Sequence, residues 1–387
     1  MSSIKTENQS KSANVVIVGG GVVGLSIARE LALRGVRDVL LLERGEPGQE
    51  ASWAAGGILA PQVEADRADD FFKLARKSRN MYPAFAEALR VETGIDVELD
   101  QTGTLYVGFS DEDEQEMKRR FVWQQNEGLR VEWLNGDEAR QLEPNLSTDV
   151  RCALRFPDDW QVNNRRLVEA LVAASEKLGV RLMTNCEVTS LRVDGQTVID
   201  VDSSAGAIAA RTVVIAAGAW TSDIDTSEPS LTLPEIEPVR GQMLCFKPEP
   251  QVAQHVIYSS RGYLVPRLDG RLLAGSTSER VGFDKRVTSE GVDSIKRNAF
   301  EIAPALRDLP VMDSWAGFRP RAMDDLPVIG ASEEIEGLFY ATGHYRNGIL
   351  LAPVTAKIAA DWIVEGAQAS GLESFSPNRF RLVAAAG

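Results

Sequence analysis

Three glycines, Gly19, Gly21 and Gly24, follow the spacing GxGxxG between an apolar run ending at Val18 and a helical run opening at Val22. A carboxylate, Glu43, ends the next apolar run. These residue types suit the phosphates and ribose of a dinucleotide. Gly19 permits a tight turn, Gly21 lets the backbone approach a pyrophosphate, and Gly24 lets helix and strand pack closely. A helix start at Val22 offers free N–H groups and partial positive charge to the phosphates. Glu43 is placed to accept hydrogen bonds from ribose hydroxyls. The glycines alone would also fit an ordinary glycine-rich βαβ turn; the strand before, the helix after and the acid beyond argue for a nucleotide.

Other residues could handle a small anion. Arg319 lies between Phe318 and Pro320 in an apolar segment. A buried arginine needs an anion, and its fork matches a carboxylate with two parallel bonds. That anion is either a substrate or a neighbouring aspartate, Asp324 or Asp325. Tyr263 offers a hydroxyl, or is a core tyrosine. The run HYRNGILLAP from His344 sets Asn347-Gly348 ahead of a helix whose first turn holds Pro353, a position proline tolerates. With only His255 and His344, a histidine-rich metal site or a Ser/His/Asp triad has almost nothing to draw on. Cys152, Cys186 and Cys245 show neither paired nor metal-like spacing, which suits small apolar fillers in a reducing compartment. No metal site is expected.

The elements that must position these groups follow from periodicity. Asn14–Val18 reads as a buried parallel strand, Val22–Leu33 as a helix stopped by Gly35, and Val39–Leu42 as a second strand. The stretch after Glu43, RGEPGQEASWAAGGILAPQ, is rich in small residues. Ser52 and Ala54 to Gly57 look shaped for backbone contact with a flat ligand, the alternative being a flexible loop. Helices are expected over Asp69–Thr93, Asp111–Gly128, Asn135–Pro144 and Asn163–Leu178, and strand character over Val97–Phe109 and Thr212–Ala217. Val193–Gln196 reads as an Asp-Gly hairpin turn. Glu237–Phe246 and His255–Thr277 supply strands without intervening helices, so they build a separate sheet. The expected fold is α/β: a Rossmann-like dinucleotide-binding domain with a parallel sheet, plus an interleaved α+β domain with a mainly antiparallel sheet. Residues 14–90, 160–235 and 317–387 are assigned to the first, 91–159 and 236–316 to the second, and 1–13 to a disordered tail.

A chain of 387 residues accommodates two cores. Its net charge of −14 argues against nucleic acid or an anionic membrane surface as partner. No apolar run is long enough to span a bilayer, and the polar opening lacks a signal-peptide core, which points to the cytoplasm.

VVIVGGGVVGLSIARELALRG…LLLER, SWAAGGILAP, TVVIAAGAW, WAGFRP and ATGHYRNGILLAP together resemble the D-amino-acid-oxidase-like flavoprotein family, in particular its thiamine-biosynthesis branch. The resemblance runs over nearly the whole chain after Asn14. It implies FAD and oxidative deamination of glycine and other small amines, such as sarcosine and small D-amino acids. Dioxygen would be the acceptor, and the products oxo acid, ammonia and hydrogen peroxide. Carried over, FAD contacts fall on Val22, Val23, Glu43, Arg44, Ala51, Ser52, Gly56, Gly57, Ile58 and Val188. They continue along His344, Tyr345, Arg346, Asn347, Gly348, Ile349 and Leu350. The substrate carboxylate meets Arg319, with Tyr263 and Arg346 close by, and no general base is required. Several relatives attach flavin through a late cysteine. None lies after Cys245 here, so the flavin is expected to be non-covalent. The resemblance also implies a homotetramer.

Overall fold

A computed structural model describes residues 12–227, 233–367 and 371–380. Two large sheets organise them. The first has nine strands, and its centre is the expected βαβ unit: Ser12–Val18 pairs in parallel with Val39–Leu42 on one side and with Gly206–Ile215 on the other. Arg181–Met183 and Leu338–Thr342 extend that parallel core. Antiparallel pairs flank it, through the hairpin Val188–Asp194/Thr197–Ser203 and through Val328–Ala331, while the short edge strand Asp225–Thr226 runs parallel to Val188–Asp194. Residues 1–11 lie outside the described residues. Ser12 and Ala13, expected in the tail, already pair with Ala209 and Ala210.

Both faces of this sheet are covered, which explains its unbroken apolar strands. Side chains alternate along the first strand. Val15 and Ile17 face the helices Val22–Leu33, Asp70–Thr93, Asn164–Lys177 and Gly348–Glu365. Val16 and Val18 face a second cluster with Ile215, Ile224, Ile236 and Leu338. Helix Val22–Leu33 is sandwiched, with Leu25, Ile27, Ala28 and Leu31 fully buried. Helix Asp70–Thr93 opens on an Asp69 cap, whose Oδ1 accepts from Phe72 N at 2.9 Å, and closes on Gly94 at φ 80°.

The last helix departs from expectation by a turn. It starts at Gly348, so Pro353 sits inside it and not in its first turn. Proline has no N–H for the carbonyl four residues back, that of Ile349. The hydroxyl of Tyr82, from helix Asp70–Thr93, donates to that carbonyl instead, and Ser78 Oγ donates to the next one, on Leu350, at 2.6 Å.

The second sheet has eight strands and is antiparallel except where Val256–Tyr258 runs parallel to Thr104–Gly108. The strand expected over Val97–Phe109 is confined to Thr104–Gly108. Ahead of it Asp100 turns away to bridge Gln161, and its Oδ1 accepts from Thr102 N at 2.9 Å, a local turn that competes with the ladder. Asp313–Ala322 pairs antiparallel with Ile236–Cys245 over its whole length, so it crosses the expected boundary at 317 and belongs to this sheet to its end.

Candidate active site

A cleft opens where the parallel strands of the first sheet end, at Val18, Leu42 and Ala216, and extends to the second sheet at Met243 and Tyr263. It encloses about 1940 Å³ of atom-free space, open solvent at its mouth included.

The glycine turn forms one wall. Gly19 has φ 109°, a conformation few side chains adopt, and a Cβ there would lie 2.4 Å from the carbonyl oxygen of Ala216. A Cβ on Gly24 would fall 2.0 Å from the carbonyl oxygen of Gly19, so this glycine serves close packing and does not itself line the cleft. The N-cap residue of helix Val22–Leu33 is Gly21, which has no side chain to cap it. Ser52 Oγ accepts from Val22 N at 2.9 Å and ties the small-residue stretch to that start. Glu43 is fixed by two backbone donors, Gly20 N at 2.7 Å to Oε2 and Gly45 N at 2.9 Å to Oε1. The Arg44 guanidinium stacks 3.5 Å from the centre of the Trp220 ring, a cation–π contact.

The structure brings the other expected cofactor residues to the same cleft. Gly21, Val23, Ala51, Gly56, Gly57, Ile58 and Val188 line it, as does the run from His344 to Ile349. Leu350 does not: it is buried in the helix layer, its carbonyl held by Ser78. Helix Gly348–Glu365 also begins at the cleft without a side-chain cap. His344 is buried, and Nε2 lies 3.0 Å from Thr355 Oγ1. Burial pushes its imidazole down to about 4, so it is neutral near pH 7.

At the second sheet stand the expected substrate residues. Arg319 does not pair with Asp324 or Asp325; those bind Arg379 and Arg321. Its Nη1 donates to Thr277 O at 3.0 Å and its Nη2 to Ser276 Oγ at 2.7 Å. A Cβ on Gly241 would lie 2.2 Å from Nη1, so that glycine makes space for the guanidinium. Tyr263 lies with its hydroxyl 3.3 Å from Met243 Sδ and its ring 5.4 Å from that of Tyr258. Arg346 also reaches the cleft, but it is paired: Nη2 lies 2.7 Å from Glu64 Oε1. The neighbouring carboxylate raises the Arg346 pKa further above its ordinary value.

Sequence reasoning missed Glu64 and Tyr258, whose hydroxyl donates to Glu64 Oε1 at 3.3 Å. Burial, and then Glu64, push that phenol well up, so it stays protonated. Also missed were Met243, Ser276 and the wall from Ala217 to Trp220. The TVVIAAGAW run could have signalled that wall, because its strand ends in small residues beside Gly19. Nothing local to Glu64 marks it.

These residues fit FAD. The glycine wall that a Cβ would fill, the anchored Glu43, the first turn of helix Val22–Leu33 and the uncapped start of helix Gly348–Glu365 suit its nucleotide, its pyrophosphate and the carbonyl edge of its ring system. Among the described residues no cluster of potential metal ligands occurs, and no helix is long and apolar enough to cross a membrane.

Comparison with known proteins gives the same assignment. The chain is 37% identical over 368 residues to the glycine oxidase of Geobacillus kaustophilus, covering 95% of this chain and 97% of that one. It is 37% identical over 381 residues to the bifunctional ThiO/ThiG protein of Trichormus variabilis, covering 95% of this chain and 55% of that one. The crystal structure of the Geobacillus kaustophilus glycine oxidase superimposes with a TM-score of 0.90 at 36% identity, over 95% of this chain and 99% of that chain. The sequence pattern of the family described as FAD dependent oxidoreductase matches residues 14–362. With that match over most of its length, on a fold and a cleft built for the cofactor, the chain belongs to the FAD dependent oxidoreductase (DAO) family.

Proposed function

We propose that the protein oxidises glycine and other small amines, such as sarcosine and small D-amino acids. From glycine, water and dioxygen it forms glyoxylate, ammonia and hydrogen peroxide. The observation that carries this reading is Arg319. Of the arginines lining the cleft, Arg44 lies 3.4 Å from Glu50 and Arg346 2.7 Å from Glu64. Arg319 makes no ion pair among the described residues and is open to a substrate carboxylate. Relatives named glycine oxidase and ThiO/ThiG support glycine as substrate and thiamine thiazole synthesis as the destination.

When bound, FAD supplies a hydride acceptor for the substrate α-carbon and a route for the electron pair to dioxygen. The chain's own part is positioning. Arg319 grips the carboxylate with two donors on one plane, and Tyr263 offers a hydroxyl beside it. Together they aim the α-carbon across the cleft at the start of helix Gly348–Glu365. His344, neutral and bonded to Thr355, is not set to act as a base. The substrate therefore reacts as its neutral amine. Gly19, Gly21, Val22, Val23, Glu43, Ser52 and the His344–Ile349 run would hold the cofactor, without a covalent bond. The three cysteines are free and buried, which supports a cytoplasmic setting. A homotetramer fits the family resemblance.

An anaerobic bleaching screen tests the reading. Purified yellow protein is mixed with glycine, sarcosine, D-alanine and amines lacking a carboxylate. Glycine and its small relatives should bleach the flavin, and air should restore colour with stoichiometric peroxide. Bleaching without peroxide in air points to a dehydrogenase. No bleaching with any amine sinks the proposal.

A further inference from the structure

Glu64 sits in the cleft although nothing in the proposed chemistry calls for an acid there. Its Oε1 binds Arg346 Nη2 at 2.7 Å and accepts from the Tyr258 hydroxyl at 3.3 Å. We propose that Glu64 is a specificity-determining residue: by neutralising Arg346 it leaves the pocket one available cation, Arg319, and so admits amines with one carboxylate and refuses those with two. This inference rests on the reading of Arg319 as the carboxylate site.

The backbone around Glu64 is held from both sides by groups remote from the cleft. Pro61–Glu64 is a short helical turn. Ahead of Glu64, the buried Asp159 accepts from Gln62 N at 3.1 Å and from Val63 N at 2.8 Å. On its other side Arg120, also buried, donates to the carbonyls of Val63 and Ala65, the latter at 3.0 Å. Gln124 Nε2 donates to Gln62 O at 2.8 Å. A turn tied at residues 62, 63 and 65 fixes where residue 64 projects. Its carboxylate is held at Arg346 before substrate arrives, and ordering it costs little when substrate binds.

A second substrate carboxylate reaching Arg346 would find the place taken and a like charge beside it. Like charges juxtaposed in a binding site repel, which is discrimination by an unfavourable contact. A purely structural ion pair would behave differently. Removing it would loosen the pocket for every ligand alike.

The test separates these cases without relying on turnover. Unreactive acids, acetate against malonate and succinate, are titrated into the FAD-loaded protein at fixed ionic strength, and dissociation constants are read from the flavin absorbance. In Glu64→Gln, affinity for the dicarboxylates should rise relative to acetate by about tenfold or more, since each tenfold is 1.4 kcal/mol. Glu64→Asp keeps the charge and should keep the parent's ratio. Adding Arg346→Met to Glu64→Gln should abolish the gain. If acetate and dicarboxylates shift together in Glu64→Gln, the pair is structural and the proposal is overturned. Should that variant lose its flavin, Glu64→Ala frees the same arginine and is judged by the same ratio. Glycine bleaching by the parent is recorded alongside. Its absence would refute the proposed reaction, whereas an unchanged ratio in a glycine-active protein refutes the role of Glu64 alone.

Discussion

The hydroxyl of Tyr82 donates to the carbonyl of Ile349, the carbonyl that Pro353 leaves without a helical partner. A proline inside the helix that opens onto the cleft is thus accommodated by a residue from another helix. Tyr82→Phe removes the donor and leaves the carbonyl buried and unpaired, at a cost of about 1–3 kcal/mol. Urea unfolding of the FAD-loaded protein should show a lower midpoint with an unchanged slope. An unaltered midpoint would mean that the carbonyl finds another donor.

Gly24 has no room for a side chain, its Cβ position lying 2.0 Å from the oxygen of Gly19. Gly24→Val overpacks this contact, on the order of 1–3 kcal/mol, and pushes the phosphate turn out of place. Colourless or poorly soluble protein is expected, read from the ratio of flavin to protein absorbance. Full flavin occupancy would make this glycine incidental.

Flavin should leave the protein on acid precipitation. The only cysteine lining the cleft among the described residues is Cys186, whose backbone N–H bonds Glu43 O at 2.8 Å, beside the expected ribose end. All yellow colour is expected in the supernatant as FAD. Colour kept in the pellet contradicts a non-covalent cofactor.

Arg319→Lys keeps the charge and loses the fork, while Arg319→Ala loses both. Removing a charge-assisted contact costs about 1.5–3 kcal/mol, roughly ten- to a hundredfold in affinity for glycine. Both variants should stay folded and yellow yet bleach slowly with glycine, with less loss for an amine that has no carboxylate. Parent-like activity in a flavin-loaded Arg319→Ala would remove the residue from the site.

Asp159 gives a pH signature. Burial pushes its carboxyl up to about 7, against the partial opposition of the Gln62 and Val63 amides. The folded chain therefore holds this proton more tightly than the unfolded chain does. Its contribution is fully present below the unfolded value of about 4 and is lost as pH rises through the folded one. The melting temperature of the parent relative to Asp159→Asn should fall as pH is raised across that window. The full change is on the order of 4 kcal/mol. A difference independent of pH would place the carboxyl in its ordinary range.

Much of the nucleotide half was legible because it is local. Gly19, Gly21, Gly24 and Glu43 lie within one βαβ unit, and the strand Val39–Leu42 has the expected bounds. Arg319 was marked out by its place in an apolar strand, and the structure sets it at the cleft, where Thr277 O and Ser276 Oγ accept from it. Glu64 was not, since its meaning comes from Arg346 and Tyr258, which the turn before the last helix and the second sheet deliver from far along the chain. The start of the last helix was misplaced because Pro353 was read against local propensity, whereas Tyr82 and Ser78 supply its remedy across the layer. The shortening of Val97–Phe109 is the converse. Asp100 and Glu98, the latter at φ 55°, form local turns that outweigh strand propensity.

The interleaved path has an evolutionary consequence. Strands of the second sheet come from 104–156 and from 236–322, and the first sheet is assembled from the segments before, between and after them. No single cut releases the substrate-facing sheet as a cassette that recombination could exchange while leaving the cofactor layer whole. Under the proposed function, a change of substrate range on this scaffold is then expected from point changes at cleft-lining positions such as 64, 243, 263 and 346.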